Sequence, residues 1–161
     1  MSNPSILNSN PPILQPSSIC QVAVVVRDIE KAAQTYADLF GVSKPNVIVT
    51  DSSDKAHTNY RGKDTEARAK LAFFNLGALT LELIEPVGGP SVWKEVLDQN
   101  GPSIHHIAFR VPNMGESVAQ LDANGIPTVQ RGDFTGGCYA YCDGSEKLGA
   151  VIELLASTPK K

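Results

Sequence analysis

The feature that most constrains this chain is an internal repeat. Ile19-Cys20-Gln21-Val22-Ala23-Val24-Val25-Val26 is an apolar, β-branched run of the kind that forms a buried strand. Asp28 follows as an N-cap. Ile29, Ala32, Ala33, Tyr36, Leu39 and Phe40 then recur at helical spacing, and Gly41 is a natural stop. The plan returns 85 residues later: strand Ile104 to Val111, cap Asn113, helical face Met114, Val118 and Leu121, stop Gly125. Gln21 and His106 fall at equivalent places. A repeat of one strand and one helix cannot close its own core, so each copy must recruit further strands.

Those strands are legible. After the first helix come Asn46 to Thr50, a polar loop from Asp51 to Asp64, and a hairpin of Arg68 to Phe74 and Ala78 to Glu85 turning near Asn75-Leu76-Gly77. After the second come Thr128 to Arg131, Gly137 to Cys142 and Ala150 to Leu155, with Asp143-Gly144 breaking the last pair. Each half reads βαβββ, which predicts an α+β fold of eight strands with helices on one side. The expected organisation is a flexible arm over 1–17, a first module over 18–86, a linker with a short helix (Val92 to Leu97) over 87–101, a second module over 102–156 and a tail over 157–161.

Composition narrows the function classes. The 161 residues are 42% hydrophobic, enough for one domain with its own core. A net charge of −3 and the lack of a basic stripe argue against a nucleic-acid partner. No apolar run is long enough to span a membrane, and the N-terminal residues do not read as a secretory signal. Three cysteines make no disulfide framework, so a soluble, cytoplasmic protein is expected. Cys138 and Cys142 have no second pair for a structural zinc.

Strand alternation shows which polar residues face the wrong way. Gln21 shares a face with Ala23 and Val25, opposite Val22, Val24 and Val26. His106 shares a face with Ala108 and Arg110. Glu82 and Glu153 sit among apolar neighbours on the last strand of each half. A buried, unpaired carboxylate is expensive or protonated. Two of them facing one cavity, with an imidazole and an amide, suggest a divalent metal site suited to Zn, Ni, Co or Mn.

The chain resembles the vicinal oxygen chelate superfamily, the glyoxalase fold, over residues 18–156. Ala72-Phe73-Phe74-Asn75-Leu76-Gly77, Leu81-Glu82-Leu83-Ile84-Glu85-Pro86, Gly101-Pro102-Ser103-Ile104-His105-His106-Ile107-Ala108-Phe109 and Val151-Ile152-Glu153-Leu154 are similar to the methylmalonyl-CoA epimerases within it. The resemblance implies two βαβββ modules in a curved eight-stranded mixed sheet, helices on its outer face, and a homodimer. By position it makes Gln21, Glu82, His106 and Glu153 the metal ligands. The epimerases carry His on the first strand where this chain has Gln21. The set Gln, Glu, His, Glu is that of zinc-type glyoxalase I, yet the residues that hold glutathione there fall at Val25 and Pro86.

The activity this implies is proton removal next to a carbonyl of a small acyl or carboxylic acid substrate, through a metal-stabilised enolate. Glu153 would be one catalytic base. Glu66 falls on the epimerases' second glutamate when the chain is laid without gaps back from Glu82. Arg110 shares the His106 face and could hold a substrate carboxylate. His57, Tyr60 and Arg61 lie in the polar loop, which could cover the site. Lys44, Lys55, Arg61, Lys63, Arg68 and Lys70 are the scattered cations a CoA thioester would need gathered. The alternatives are a glyoxalase-type lyase on a hemithioacetal-like adduct and a small-molecule-binding resistance protein of the same fold.

Overall fold

In a computed structural model, residues 12–158 are described; most of the expected N-terminal arm and the end of the tail lie outside them. Strand β1 (Ile19–Val25) leads into helix α1 (Ile29–Phe40), capped by the Asp28 carboxylate on the Lys31 N–H and ended by Gly41 in the left-handed region. Then come β2 (Ile48–Val49), α2 (Ser53–Ala56), β3 (Asn59–Tyr60), β4 (Lys63–Asp64), β5 (Arg68–Asn75) and β6 (Thr80–Val87). Helix α3 (Val92–Asn100) links to β7 (Ser103–Arg110), α4 (Met114–Ala123), β8 (Thr128–Phe134), β9 (Gly137–Gly144), α5 (Ser145–Leu148) and β10 (Ala150–Ser157).

All ten strands form one mixed sheet, ordered β2-β5-β6-β1-β7-β10-β9-β8-β3-β4. Eight are the expected ones, and their order is symmetric about the β1–β7 junction. That junction is antiparallel, pairing Gln21 with Ala108 and Ala23 with His106. The 85-residue offset maps each of these pairs onto the other. The flanking parallel pairs match too: Ala23 opposes Glu82, and Ala108 opposes Glu153. The repeat read in sequence is therefore an approximate twofold in space, with the four polar residues around its axis.

The two faces carry different cores. On one, α1 packs Ile29, Ala33 and Ala37 onto Val26, Ala72, Phe74, Leu81 and Leu83. α4 does the same in the second module, packing Leu121 with Ile126, Cys142, Ile152 and Leu154. Ile13 and Leu14 also pack on this second cluster, so ordered packing begins ahead of the expected start near Ser18. On the other, concave face, α3 packs Trp93 and Leu97 with Ala23, Val25, Ile84, Tyr141 and Val151. α3 is thus an exception to the expectation of helices on the outer face.

The polar loop departs most from expectation. Residues 51–64 hold α2 and a β3–β4 hairpin, and β3 pairs with β8 of the other module. This hairpin brings the sheet to ten strands. The expected strand over 46–50 shrinks to two exposed residues, Ile48 and Val49.

Candidate metal centre

The concave face encloses a cavity of about 460 Å³. Its polar floor comes from the four central strands. Gln21 from β1, Glu82 from β6 and Glu153 from β10 line it, and His106 from β7 lies beneath, fully buried. Glu82 and Glu153 are only 6% and 4% exposed. One ligand atom each from Glu82, His106 and Glu153 lies within 4.8 Å of the others. His106 Nε2 is 3.0 Å from a Glu153 oxygen and 3.5 Å from a Glu82 oxygen. The Gln21 amide donates to Glu82 at 2.6 Å and lies 3.4 Å from both His106 Nε2 and Glu153.

The electrostatics follow from burial. Desolvation, and then the Glu153 charge, hold the Glu82 carboxyl well above the ordinary carboxylate range. A charged Glu82 buried beside Glu153 is costly unless a cation offsets it. The donor set of two carboxylates, one imidazole and one amide fits a borderline divalent ion such as Zn, Ni, Co or Mn. Gln21 would present its carbonyl oxygen to such an ion after a half-turn of its amide. The residues present therefore fit the expected metal.

The surround was less legible. Tyr141 is buried over the imidazoles, with ring centres 5.0 Å from His106 and 5.3 Å from His105. Its hydroxyl accepts from Trp93 Nε1 at 2.9 Å, and burial followed by the charges of Glu153 and Glu82 raises it well above an ordinary phenol. Gln130, buried on β8, accepts from the Val92 N–H at 2.8 Å and donates to Tyr139 at 3.2 Å. It fastens the start of α3 to the second module. Tyr139 packs against Gly132, where a Cβ would meet its ring at 2.8 Å.

Regular strand alternation would put His105 on the opposite face from His106. Instead the pairing passes from Ala23–His106 to Val24–Ile104, leaving His105 as an extra residue. This bulge buries both rings on one side, with their Nδ1 atoms 2.8 Å apart. Burial first and His106 second push His105 down to about 3, against a favourable Val92 carbonyl. His105 is neutral at ordinary pH.

Several expected site residues lie elsewhere. Glu66 is exposed and accepts from the Ser53 hydroxyl at 2.7 Å. Thr65 and Ala67 are buried on either side of it, so alternation turns Glu66 outward. Tyr60 donates to Glu95 at 2.8 Å and Arg61 donates to the same carboxylate at 2.9 Å, which ties both to α3 outside the cavity. His57 pairs with Asp133 at 2.9 Å and borders a separate cleft of about 580 Å³ beside β8 and β9. The loop residues that do reach the cavity are Asp51, Ala56 and Thr58. Arg110 lines the cavity as expected, and among the described residues no carboxylate lies within ion-pair distance of it. The scattered cations do not gather there: Lys44 pairs with Glu30, Lys70 with Glu85, and Arg68 donates to the Thr50 carbonyl. The free cysteines form no cluster. Among the described residues, no helix is long and apolar enough to cross a membrane.

Comparison with known proteins bears on this geometry. The family model described as "Glyoxalase/Bleomycin resistance protein/Dioxygenase superfamily" matches residues 20–141. Mouse mitochondrial methylmalonyl-CoA epimerase is 27% identical over 119 residues, covering 73% of this chain and 59% of that protein. The human mitochondrial enzyme is 29% identical over 109 residues, covering 67% of this chain and 54% of the enzyme. The match thus spans little more than half the length of these relatives. A solved methylmalonyl-CoA epimerase from Mycobacterium tuberculosis superposes with a TM-score of 0.62 at 22% identity, covering 99% of this chain and 94% of that one, which supports the fold.

Proposed function

The chain belongs to the glyoxalase/bleomycin resistance protein/dioxygenase superfamily, and from that premise we propose that it is a divalent-metal-dependent isomerase of the epimerase kind. It would remove and return a proton next to the carbonyl of a small acyl substrate. The observation that carries this reading is the buried Glu82–His106–Glu153 cluster on the floor of a cavity large enough for such a substrate. Gln21, Glu82, His106 and Glu153 would hold the ion. When bound, the ion would supply Lewis acidity to two neighbouring substrate oxygens.

The chain's own residues supply the rest. Glu153 is the proton acceptor, because its carboxylate lines the cavity beside the imidazole. Arg110 holds a substrate carboxylate, since among the described residues it is the one cation lining the cavity and has no ion-pair partner. Trp93, Tyr139 and Tyr141 form an apolar wall that keeps water from the reacting carbon. Inversion needs a second acid on the far side of that carbon. Asp51 and Asp133 line the same cavity and take the place assigned in sequence to Glu66.

The related epimerases make an acyl-CoA thioester the first substrate to try. Protein loaded with Zn, Ni, Co or Mn is incubated with methylmalonyl-CoA in heavy water, and deuterium at the carbon between the two carbonyls is followed. Exchange that disappears in Glu153→Gln is expected. Metal-loaded protein that exchanges neither this nor other 2-substituted acyl-CoA thioesters would overturn the epimerase reading. The ligand set itself favours a second reading, a lyase acting on a hemithioacetal-like adduct, and thioester formation from such an adduct would select it.

A further inference from the structure

The proposed mechanism uses one of two adjacent histidines. The other, His105, is buried 2.8 Å from His106, Nδ1 to Nδ1. Its Nε2 is the one buried side-chain nitrogen or oxygen among the described residues with no hydrogen-bond partner. It occupies this place only because of the bulge, since a regular strand would turn adjacent rings to opposite faces.

The gap between the two Nδ1 atoms holds one proton. Two would collide, and none would set two lone pairs against each other. The tautomers of the two neutral rings are therefore tied together. In one arrangement His105 owns the shared proton and His106 carries its own on Nε2, where it donates to the Glu153 carboxylate 3.0 Å away. In the other, His106 owns the shared proton and His105 carries its own on Nε2. His106 Nε2 is left bare, 3.0 Å from one buried carboxylate and 3.5 Å from the other. A bare nitrogen beside two carboxylates is what a cation requires.

We propose that His105 is a positioning residue for the metal site, accepting the Nδ1 proton of His106 and so holding the His106 Nε2 lone pair toward an ion between Glu82 and Glu153. The proposal rests on the metal site of the function proposed above, where the ion would take the place of a proton on His106 Nε2. The strand bulge is then a functional device: it brings the second imidazole to the side where it can orient the first.

The test is long-range proton–nitrogen NMR of the zinc-loaded full chain, whose three histidines make assignment direct. The expected result is a protonated Nδ1 and bare Nε2 on His106, with a protonated Nε2 on His105. A protonated His106 Nε2 would overturn the proposal, and this readout needs no variant to fold. Zinc titration against a competing chelator supplies the second arm. His105→Phe, which has no acceptor, should bind zinc about 10–100-fold more weakly. His105→Gln, which keeps an acceptor oxygen, should recover most of that loss. A structural role alone would lower the melting temperature of both variants without separating their zinc affinities. Unchanged zinc affinity in folded His105→Phe would contradict the proposal. Wild type that takes up no zinc would overturn the proposal, whereas zinc uptake without proton exchange would overturn the isomerase reading and leave the positioning role standing.

Discussion

The first module brings an amide and a carboxylate to the cavity, Gln21 and Glu82; the second brings an imidazole and a carboxylate, His106 and Glu153. Their backbones are placed alike, each glutamate opposite an alanine two residues along the neighbouring strand from the amide or imidazole. Their support is not alike. His106 is fully buried, backed by His105 and Tyr141. Gln21 is half-buried and held mainly by its bond to Glu82. The repeat thus fixes where four side chains meet, and each module's departures decide what they do there. In the second module the departure is a one-residue bulge. In the first it is the 51–64 insertion, which crosses to pair with β8 and brings Asp51, Ala56 and Thr58 to the cavity.

The largest effect should come from comparing the two glutamates. With metal at saturation, Glu153→Gln is expected to slow proton exchange about 10³-fold, while Glu82→Gln slows it less than about tenfold. Equal losses would erase the difference in role between the modules. Trp93→Ala should cost about 3 kcal/mol in thermal or urea unfolding, because it empties the contact between α3 and Tyr141. Since α3 joins both halves of the sheet through Gln130 and the central strands, the variant should still unfold in one transition. Two transitions would mean that the modules fold separately.

A smaller effect concerns charge. Glu82 has a raised pKa, so in the metal-free protein its contribution to stability is complete below the ordinary carboxylate range. That contribution is lost as pH rises through the raised value. Glu82→Gln removes the repulsion and should stabilise the metal-free protein by about 1 kcal/mol. Its advantage over wild type should grow with pH in melting curves, and added metal should reverse the order, because the ion needs the deprotonated carboxylate. An advantage that shrinks with pH would contradict the burial argument. The smallest effect is expected at Glu95, which gathers Tyr60 and Arg61 against α3. Glu95→Ala should cost less than about 1 kcal/mol, as half-exposed pairs do. It should leave exchange unchanged, and a large loss of activity would return Tyr60 and Arg61 to the site.

The four central polar residues were legible in sequence because strand period and repeat act together. Alternation put Gln21, Glu82, His106 and Glu153 on one face, and the equivalence of the halves brought them to one axis. Arg110 followed from the same alternation. His105 was missed because a bulge breaks the period that the reading relied on, and nothing in Ser103-Ile104-His105-His106 marks one. Glu66 came from an ungapped placement and Tyr60, Arg61 and His57 from their position in the polar loop; neither carries information across an insertion that folds into its own hairpin, and the structure sets these side chains apart from the metal cluster. Trp93 looked like the apolar face of a linker helix. Only the tertiary path of α3 puts it on the concave side.

Metal stoichiometry tests the central claim most directly. Protein stripped with chelator, reloaded with a mixture of Zn, Ni, Co and Mn and desalted should carry about one equivalent per chain by inductively coupled plasma mass spectrometry. His106→Ala and the double variant Glu82→Gln, Glu153→Gln should carry almost none while keeping wild-type circular dichroism. Wild-type protein that holds no ion, or variants that hold as much as wild type, would contradict a metal centre shared by the two modules.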